Sequence, residues 1–363
     1  MNDARDYASF FLNLSRTGGD VVSFHAGGPA FLVNSPELAQ TVLATNERAY
    51  ENPYHPHKEL GGQYEPPGGL LLGTLARNGH AAAIALNSIL SEEARLAVEA
   101  WLASGEVQID VAAKVLTLRS VTRALFGLTV DDGEDFVRAT DVVEECYVNQ
   151  AAAPAAAMET QSALIDRIAV HCSLTGRDGF ISNETRTAIL RTLLNGYNAT
   201  GTSLAWTLYL LAQHGGLRDL RLAILESLRL YPPAWNLGRS ALAEHHLGDT
   251  LIPRDARIFI SPYAMQRHPA WWDRPSEFVP ERFAKPPRHP FAYFPFGGGS
   301  RRCPAGHLMT QHLKTIVDVI ATRARWGLAS PPVRPRGLVA LRPSSEIVLR
   351  FYNPAPCADS SLF

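Results

Sequence analysis

A glycine-rich loop near the end of the chain carries the residues whose types and spacing favour chemistry. It covers residues 296–307 and places Cys303 two residues after Arg301, ahead of an apolar helical segment. A thiolate is a metal ligand, and backbone N–H groups pointing at its sulfur temper its charge. Glycines let the backbone approach a large flat group, and an arginine pairs with carboxylates. The loop therefore predicts a site for haem, which offers an iron and two propionates. The alternative is a glycine-rich turn with an incidental buried cysteine.

The loop resembles the cysteine-ligand loop of the cytochrome P450 family, which usually reads Phe-x-x-Gly-x-Arg-x-Cys-x-Gly. The residues in register with this pattern are Phe296, Gly299, Arg301 and Cys303. The last glycine is out of register, because Ala305 stands in its place and Gly306 comes one residue late. The resemblance implies haem b (iron protoporphyrin IX) with the Cys303 thiolate as axial ligand of the iron. It also implies that Phe296 packs beside the sulfur and that Arg301 holds a propionate.

Two further motifs precede this loop in the family's order. Glu226 and Arg229 are three residues apart in a predicted helix, so their side chains share one face, and two prolines end that helix. On spacing alone the two residues indicate an ordinary surface ion pair, which contributes little. The resemblance implies a buried triad instead. In it Arg282, from the Pro-Glu-Arg-Phe segment 280–283, joins Glu226 and Arg229 and braces the cysteine loop.

A long helix is predicted to begin near Asn183, a good N-cap, and to run to His214. About 30 residues in a helix would measure roughly 45 Å. The segment resembles the family's distal helix, whose signature contains an acid followed by threonine. Here Asn198 replaces the acid and Ala199 replaces the threonine, with Thr200 next. The alternative is a plain core helix that never faces a cofactor.

These departures leave two interpretations of the chemistry open. In the family, the hydroxyl and the acid serve the delivery of protons to bound dioxygen. Ala199 donates nothing, Asn198 is no acid, and Thr200 lies about 100° further around the helix. Thr202 or Ser203 would help only if the helix bulges. Either a substrate hydroxyl or ordered water substitutes for the missing groups, or the enzyme bypasses reductive oxygen activation.

Two other residues are implied to hold propionates. Arg239 resembles the family's second propionate arginine, and a surface charge on a strand is the alternative. His80 resembles a propionate histidine, although the arginine that usually supports it is missing; a satisfied structural histidine is the alternative. The family also places a further helix and loops after its long helix. This helix and its loops are missing from the chain near residues 214–217. Their absence puts the docking of an electron donor in doubt.

Composition limits the class of protein. The chain has 363 residues, 46% of them hydrophobic, which predicts a globular protein with a large core. A net charge of −1 gives no reason to expect nucleic acid or an anionic membrane as partner. No long apolar run or signal peptide opens the chain, so we expect a cytoplasmic protein. The spacing of the cysteines fits no disulfide framework and no zinc set: Cys146, Cys172, Cys303 and Cys357.

Local patterns predict a few elements of the N-terminal region. Residues 21–24 and 30–33 indicate a β-hairpin, and Ser35 is the predicted N-cap of a short helix. Residues 51–75 are rich in glycine, proline and histidine and indicate a long loop. The resemblance implies that this loop roofs the substrate pocket.

Together these features imply a mainly α protein with small β-sheets and the cytochrome P450 (haem-thiolate) fold, in one domain over 1–363. The resemblance implies a monooxygenase that tailors a small natural-product intermediate by hydroxylation, desaturation or bond formation. Electrons would come from an external ferredoxin and ferredoxin reductase. One alternative is a haem-thiolate enzyme that is peroxide-driven or acts as an isomerase or dehydratase. Another is a degraded haem- or ligand-binding protein that recruits partners.

Overall fold

The structure is a computed structural model that describes residues 6–51, 69–176, 178–215 and 219–354. Within the helix that begins at Gly69, side chains are described from residue 86 onward. The α-helices of these residues are, in chain order, α1 (Tyr7–Ser15), α2 (Pro36–Gln40), α3 (Gly69–Ser104), α4 (Ile109–Phe126), α5 (Gly133–Val148), α6 (Ala155–His171), α7 (Asn183–Leu193), α8 (Ala199–His214), α9 (Leu220–Leu230), α10 (Pro262–Met265) and α11 (Gly306–Arg323). The strands are β1 (Val21–His25), β2 (Pro29–Val33), β3 (Tyr50–Glu51), β4 (Glu106–Gln108), β5 (Leu237–Ala241), β6 (His245–Leu247), β7 (Thr250–Ile252), β8 (Arg257–Ile260), β9 (Arg325–Leu328), β10 (Pro335–Gly337), β11 (Leu341–Pro343) and β12 (Val348–Tyr352). The prediction of a mainly α protein with small sheets is confirmed.

The chain divides into two compact units, of which the first comprises Met1–Pro66, Leu222–Gly306 and Pro335–Arg342. A five-stranded sheet in the order β1-β2-β8-β5-β3 organises this unit. Strands β1 and β2 form the predicted hairpin, and β2 continues the sheet in parallel with β8. Apolar residues of β2 and β8 are buried because alternate side chains of a strand reach the two sheet faces, and both faces are covered.

The second unit comprises Pro67–Arg221, His307–Arg334 and Pro343–Phe363. Helix α4 packs against α8, and α5 packs against α6. A three-stranded sheet in the order β4-β12-β9 completes the unit, and the indole N–H of Trp326 on β9 donates to the Leu208 carbonyl of α8 at 3.0 Å. A hydrophobic core around Leu118 and Phe136 holds in place the helices that carry the predicted catalytic residues Asn198, Ala199 and Thr200.

The long helix predicted over 183–214 is present, but it is not uniformly α-helical. Helix α7 leads into a π-helical turn over Leu194–Asn198, and α8 continues to His214. Its N-cap is Ser182 rather than Asn183, because the Ser182 hydroxyl accepts a hydrogen bond from the N–H of Thr185 at 3.2 Å. The extra residue in the π turn is the bulge that the sequence pattern did not predict.

The prediction of a loop over residues 51–75 was wrong for its last part, because α3 begins at Gly69. The leucines of this stretch continue into a long helical segment, and two glycines did not prevent the helix from forming. Residues 52–68 lie outside the described residues, as does the roof that the resemblance implied for them. Ser35 is the N-cap of α2, as predicted, and its side chain accepts from the N–H of Leu38.

Candidate functional site

The cysteine loop depends on two glycines in the left-handed backbone region. Gly297 has a φ of 74° and Gly299 a φ of 70°, a conformation that side chains with a Cβ rarely adopt. A Cβ on Gly299 would also lie 1.6 Å from the carbonyl oxygen of Leu43, so only glycine fits there. The N–H of Cys303 donates to the Phe296 carbonyl at 2.9 Å. The Cys303 thiol is exposed and forms no disulfide with the other cysteines that the structure describes.

The late glycine of the loop has a structural reason. Gly306 is the first residue of α11, and a Cβ there would lie 2.8 Å from Cγ of the Phe296 ring. Such a contact is too short, so the ring requires glycine at position 306. The family pattern has its glycine at the position of Ala305. In this chain the residue that packs against the Phe296 ring is Gly306, one position later.

Glu47 anchors the loop from a distant part of the first unit. Its carboxylate accepts hydrogen bonds from the N–H of Ser300 at 3.1 Å and from the Ser300 hydroxyl at 2.8 Å. These hydrogen bonds lower the pKa of Glu47, with smaller help from the charges of Arg301 and Arg239. Sequence reasoning missed this residue. An acid 253 residues before its partner gives no signal in a single sequence.

The two arginines predicted to hold propionates lie at one cavity. It has a volume of about 380 Å³, and Arg239, Ser300 and Arg301 are among its lining residues. Arg239 lies on β5, is 7% exposed and donates from Nη1 to the Gly238 carbonyl at 2.7 Å. Arg301 is the last residue of a 3-10 turn and is exposed. Both cations therefore border the same cavity next to the cysteine loop.

The structure brings the three predicted triad residues together. Glu226 and Arg229 on α9 are fully buried and form two hydrogen bonds, from Nε at 2.7 Å and from Nη2 at 2.8 Å. The Nε of Arg282 donates to Oε1 of Glu226 at 3.0 Å, and the N–H of Val279 donates to the same oxygen at 2.9 Å. A buried charge is tolerated only when it is paired and hydrogen-bonded, and this carboxylate meets that condition.

Backbone carbonyls complete the surroundings of Arg229. Its guanidinium donates to the carbonyls of Gln266, Pro275 and Glu277 at 2.7 to 3.0 Å. It also lies over the ring of Trp272, with its Cζ 5.1 Å from the ring centroid. One buried arginine thus ties α9 to the segment after α10, which leads on to the cysteine loop.

In the second unit, Asn198 is the last residue of the π turn and is 5% exposed. Its Nδ2 donates to Oε1 of Glu144 on α5 at 2.8 Å. The sequence did not predict Glu144 as a site residue. The position where the family's pattern has an acid is thus an amide that contacts an acid from another helix.

Ala199 opens α8, and Thr200 follows it with its hydroxyl already bonded. The Thr200 hydroxyl donates to the carbonyl of Gly196 at 3.1 Å, within its own helix. The three residues predicted to be catalytic, Asn198, Ala199 and Thr200, are consecutive and all lie in the second unit. Their catalytic role stays a prediction.

Two predictions fall outside what the structure describes. His80 lies in α3, but its side chain is not among those described. The deletion near 214–217 includes residues outside the described part of the chain. Helix α8 ends at His214 and α9 begins at Leu220, so only a short connection separates them.

The residues of the first unit fit a haem. Cys303 offers a free sulfur, which is the donor that a haem-thiolate iron takes. Arg239 and Arg301 offer two cations at one cavity, suited to the two propionates. Donor type and charge therefore both agree with this cofactor.

Solved structures share the architecture of the chain. The haem domain of cytochrome P450DA superposes with a TM-score of 0.76 at 20% identity, covering 96% of this chain and 94% of that domain. A six-coordinated cytochrome P450 from Thermus thermophilus superposes with a TM-score of 0.74 at 24% identity, covering 96% of this chain and 98% of that protein. The chain has the cytochrome P450 fold. The predicted fold class is thereby confirmed.

Sequence comparison agrees with the resemblance to the P450 family. The family model for cytochrome P450 matches residues 216–326, which include the triad and the cysteine loop. Cyclooctatin synthase of Streptomyces melanosporofaciens is 27% identical over 409 residues, covering 89% of this chain and 86% of that enzyme. Probable cytochrome P450 4p2 of Drosophila melanogaster is 36% identical over 147 residues, covering 39% of this chain and 27% of that protein.

The match to several relatives is confined to one region. The chain spans between 19% and 28% of the length of relatives such as Tabersonine 3-oxygenase of Catharanthus roseus and Cytochrome P450 3A25 of Mus musculus. In the described part of the chain, none of the helices combines the length and apolar character needed to cross a membrane.

Proposed function

We propose that this chain is a haem-thiolate oxidoreductase of the monooxygenase type, with Cys303 as the axial ligand of haem b. The observation that carries the proposal is the free Cys303 thiol in the loop whose Ser300 and Arg301 line one cavity together with Arg239. When bound, a haem with a thiolate ligand supplies the activation of oxygen.

The residues of the chain have separate tasks in this proposal. Cys303 binds the iron, and the N–H groups of its loop temper the charge on the sulfur. Arg239 and Arg301 bind propionates and orient the cofactor. Glu226, Arg229 and Arg282 would brace the loop indirectly, because the Arg229 guanidinium holds the carbonyls of Gln266 and Pro275 in the segment that leads to it. A loop fixed from both sides holds the sulfur at a constant position.

The proposed substrate is a small natural-product intermediate that undergoes hydroxylation, desaturation or bond formation. The names of similar proteins support this class: Cyclooctatin synthase, Tabersonine 3-oxygenase and Taxane 10-beta-hydroxylase. The proposed location is the cytoplasm. The proposed electron donors are an external ferredoxin and ferredoxin reductase, and the exposed Arg302 beside the loop suits an acidic carrier.

The difference spectrum of the ferrous–carbonyl complex tests the proposal. We expect a Soret band at the position typical of a thiolate ligand, and we expect Cys303→Ala to abolish it. Cys172→Ala is a matched control, because Cys172 is also free but lies in the second unit. A wild-type protein without this band would contradict the proposal and favour the degraded binding protein.

A second candidate is a haem-thiolate enzyme that does not use reductive oxygen activation. It is supported by Ala199, which has no hydroxyl, and by Thr200, whose hydroxyl is bonded to Gly196. Turnover with peroxide, or with no oxidant at all, would favour this candidate. Turnover that requires dioxygen and a ferredoxin system would contradict it.

A further inference from the structure

Tyr50 and His245 form a hydrogen-bonded pair within the first unit. The Tyr50 hydroxyl oxygen lies 2.7 Å from Nε2 of His245, although the two residues are 195 positions apart in the chain. Tyr50 is 2% exposed, and the two rings meet edge to face with their centroids 5.1 Å apart. A phenol loses an electron most readily when its proton can leave at the same time, and an imidazole is a base that takes up such a proton.

The direction of this hydrogen bond follows from the second ring nitrogen of His245. Its Nδ1 lies 3.0 Å from the Ala243 carbonyl. A carbonyl only accepts hydrogen bonds, so Nδ1 carries the ring proton of the neutral imidazole. Nε2 therefore presents its lone pair to the Tyr50 hydroxyl. Burial raises the pKa of Tyr50 to about 12, so the phenol keeps its proton at neutral pH.

Tyr50 also lines the cavity that Arg239 and Arg301 border. On the sheet, Tyr50 of β3 lies directly opposite Ala241 of β5, and Arg239 comes two residues before Ala241. Opposite residues share a sheet face, as do residues two apart in one strand, so the side chains of Tyr50 and Arg239 lie on the same face. Tyr50 therefore belongs to the same cavity as the two cations proposed to bind the haem propionates.

Two other oxidisable rings of the first unit have surroundings that favour electron loss less. The Tyr293 hydroxyl donates to the Leu225 carbonyl at 3.1 Å, and the indole N–H of Trp272 donates to the Ala292 carbonyl at 3.2 Å. A backbone carbonyl accepts a hydrogen bond but does not take up the proton. Trp272 also lies beside the Arg229 guanidinium, whose charge opposes a positive charge on the ring.

We propose that Tyr50 and His245 form a redox-active pair that returns an electron to the haem when the haem has been oxidised and no substrate consumes the oxidising equivalents. Hydrogen peroxide is the oxidant and takes two electrons from the haem. Tyr50 returns one electron as its O–H bond breaks and the proton passes to Nε2 of His245. The products are a neutral phenoxyl radical and an imidazolium. The haem oxidant in this inference rests on the proposed function, whereas the pair itself rests on the hydrogen bond.

Freeze-quench electron paramagnetic resonance of the haem-loaded protein, after mixing with hydrogen peroxide, tests the inference. We expect a tyrosyl radical signal that narrows when the protein carries ring-deuterated tyrosine. Tyr50→Phe should abolish the signal, because it keeps the ring and removes the O–H bond. His245→Gln should also lose most of the signal, because an amide oxygen still accepts the hydrogen bond but takes up no proton.

Tyr293→Phe is the matched control, because it removes a phenol whose partner is a carbonyl. It should leave the radical signal as in the wild type. Bleaching of the haem absorption by peroxide is a second readout, which should be faster in Tyr50→Phe and His245→Gln than in the wild type and the control. His245→Gln keeps the test possible if Tyr50→Phe does not fold.

A one-electron oxidant in solution tests the pair without the haem. Ruthenium(III) tris-bipyridine, made by a light flash in the presence of persulfate, accepts one electron and becomes ruthenium(II). We expect it to generate a radical signal of which Tyr50→Phe removes a part. This part should form more slowly in D₂O than in H₂O, because the proton moves with the electron. It should be missing in His245→Gln.

The outcomes separate this inference from the proposed function. A peroxide-dependent radical that requires Tyr50 and His245 supports the inference. A protein with the thiolate band whose radical is absent, persists in Tyr50→Phe or disappears in Tyr293→Phe overturns the inference alone. A wild type without the thiolate band overturns the proposed function. The ruthenium reaction then decides the pair, which is supported by a radical that needs both residues and overturned by its absence.

Discussion

The carboxylate of Glu47 holds Ser300 by both its backbone N–H and its hydroxyl, three residues before Cys303. Glu47 follows the π-helical turn Thr41–Thr45, whose Leu43 carbonyl faces Gly299. One short N-terminal segment therefore contacts the cysteine loop at two adjacent residues. The buried triad contacts the chain before this loop, at residues 266–282.

Glu47→Gln should weaken the anchor of the loop in a pH-dependent way. The folded-state pKa of Glu47 is lowered, so its ionised form stabilises the fold above the ordinary glutamate pKa, and this contribution is lost as pH falls through the folded pKa. We expect a lower Tm than wild type at neutral pH and a difference that shrinks in acid. Thermal unfolding followed by circular dichroism measures it. The exposed Glu281→Gln is the control, and an equal Tm for Glu47→Gln at neutral pH would contradict the anchor.

Gly299→Ala should disrupt the cysteine loop. The new Cβ would meet the Leu43 carbonyl in a backbone conformation that disfavours side chains. Strain and overpacking together predict a loss of about 2 to 5 kcal/mol in the free energy of unfolding. Urea denaturation measures the loss, and haem content at saturation measures the effect on the site. Gly28→Ala, where no atom lies within 4 Å of the new Cβ, should behave like wild type. A Gly299→Ala protein of normal stability would show that the loop is not pressed against Leu43.

Arg229→Met should be among the most destabilising substitutions in the first unit. Among the described residues, it leaves the fully buried carboxylate of Glu226 with Arg282 and the N–H of Val279 as donors. It also removes the donor to three backbone carbonyls. Breaking a buried ion pair costs about 3 to 5 kcal/mol. Chemical denaturation of Arg229→Met should show this loss. Arg254→Met removes an exposed ion pair with Asp255 and should change stability by less than about 0.5 kcal/mol. Equal effects of the two variants would mean that burial does not matter to the triad.

His312 on α11 should make stability depend on pH in mild acid. Burial lowers the pKa of His312 to about 4, and its Nε2 has no partner among the described residues. The unfolded chain binds a proton near 6.5 while the folded chain resists it down to about 4. The free energy of unfolding should therefore decrease as pH falls from about 6.5 to 4, by up to about 3 kcal/mol.

The variant His312→Leu should flatten this part of the stability profile, measured by urea denaturation between about pH 4 and the neutral range. His246→Gln, at an exposed histidine, is the control and should leave the profile as in wild type. If His312→Leu keeps the wild-type slope, other groups cause the acid sensitivity.

The sequence alone determined the features that depend on local spacing and residue type. The three-residue spacing of Glu226 and Arg229 placed them on one helix face, and the pattern around Cys303 indicated the glycine-rich loop. The extent of the long helix, from Asn183 to His214, also followed from local signals. Periodicity and side-chain chemistry act over a few residues, so they can be recognised in a single sequence.

Only the tertiary structure decided which distant groups meet. Glu47 reaches Ser300 and Glu144 reaches Asn198 because separate elements pack together, and no local pattern specifies such pairs. The requirement for glycine at position 306 comes from the Phe296 ring. The π turn Leu194–Asn198 before Ala199 was likewise visible only in the folded chain. These features depend on the shapes of two partners at once, and a linear sequence shows each partner without the other.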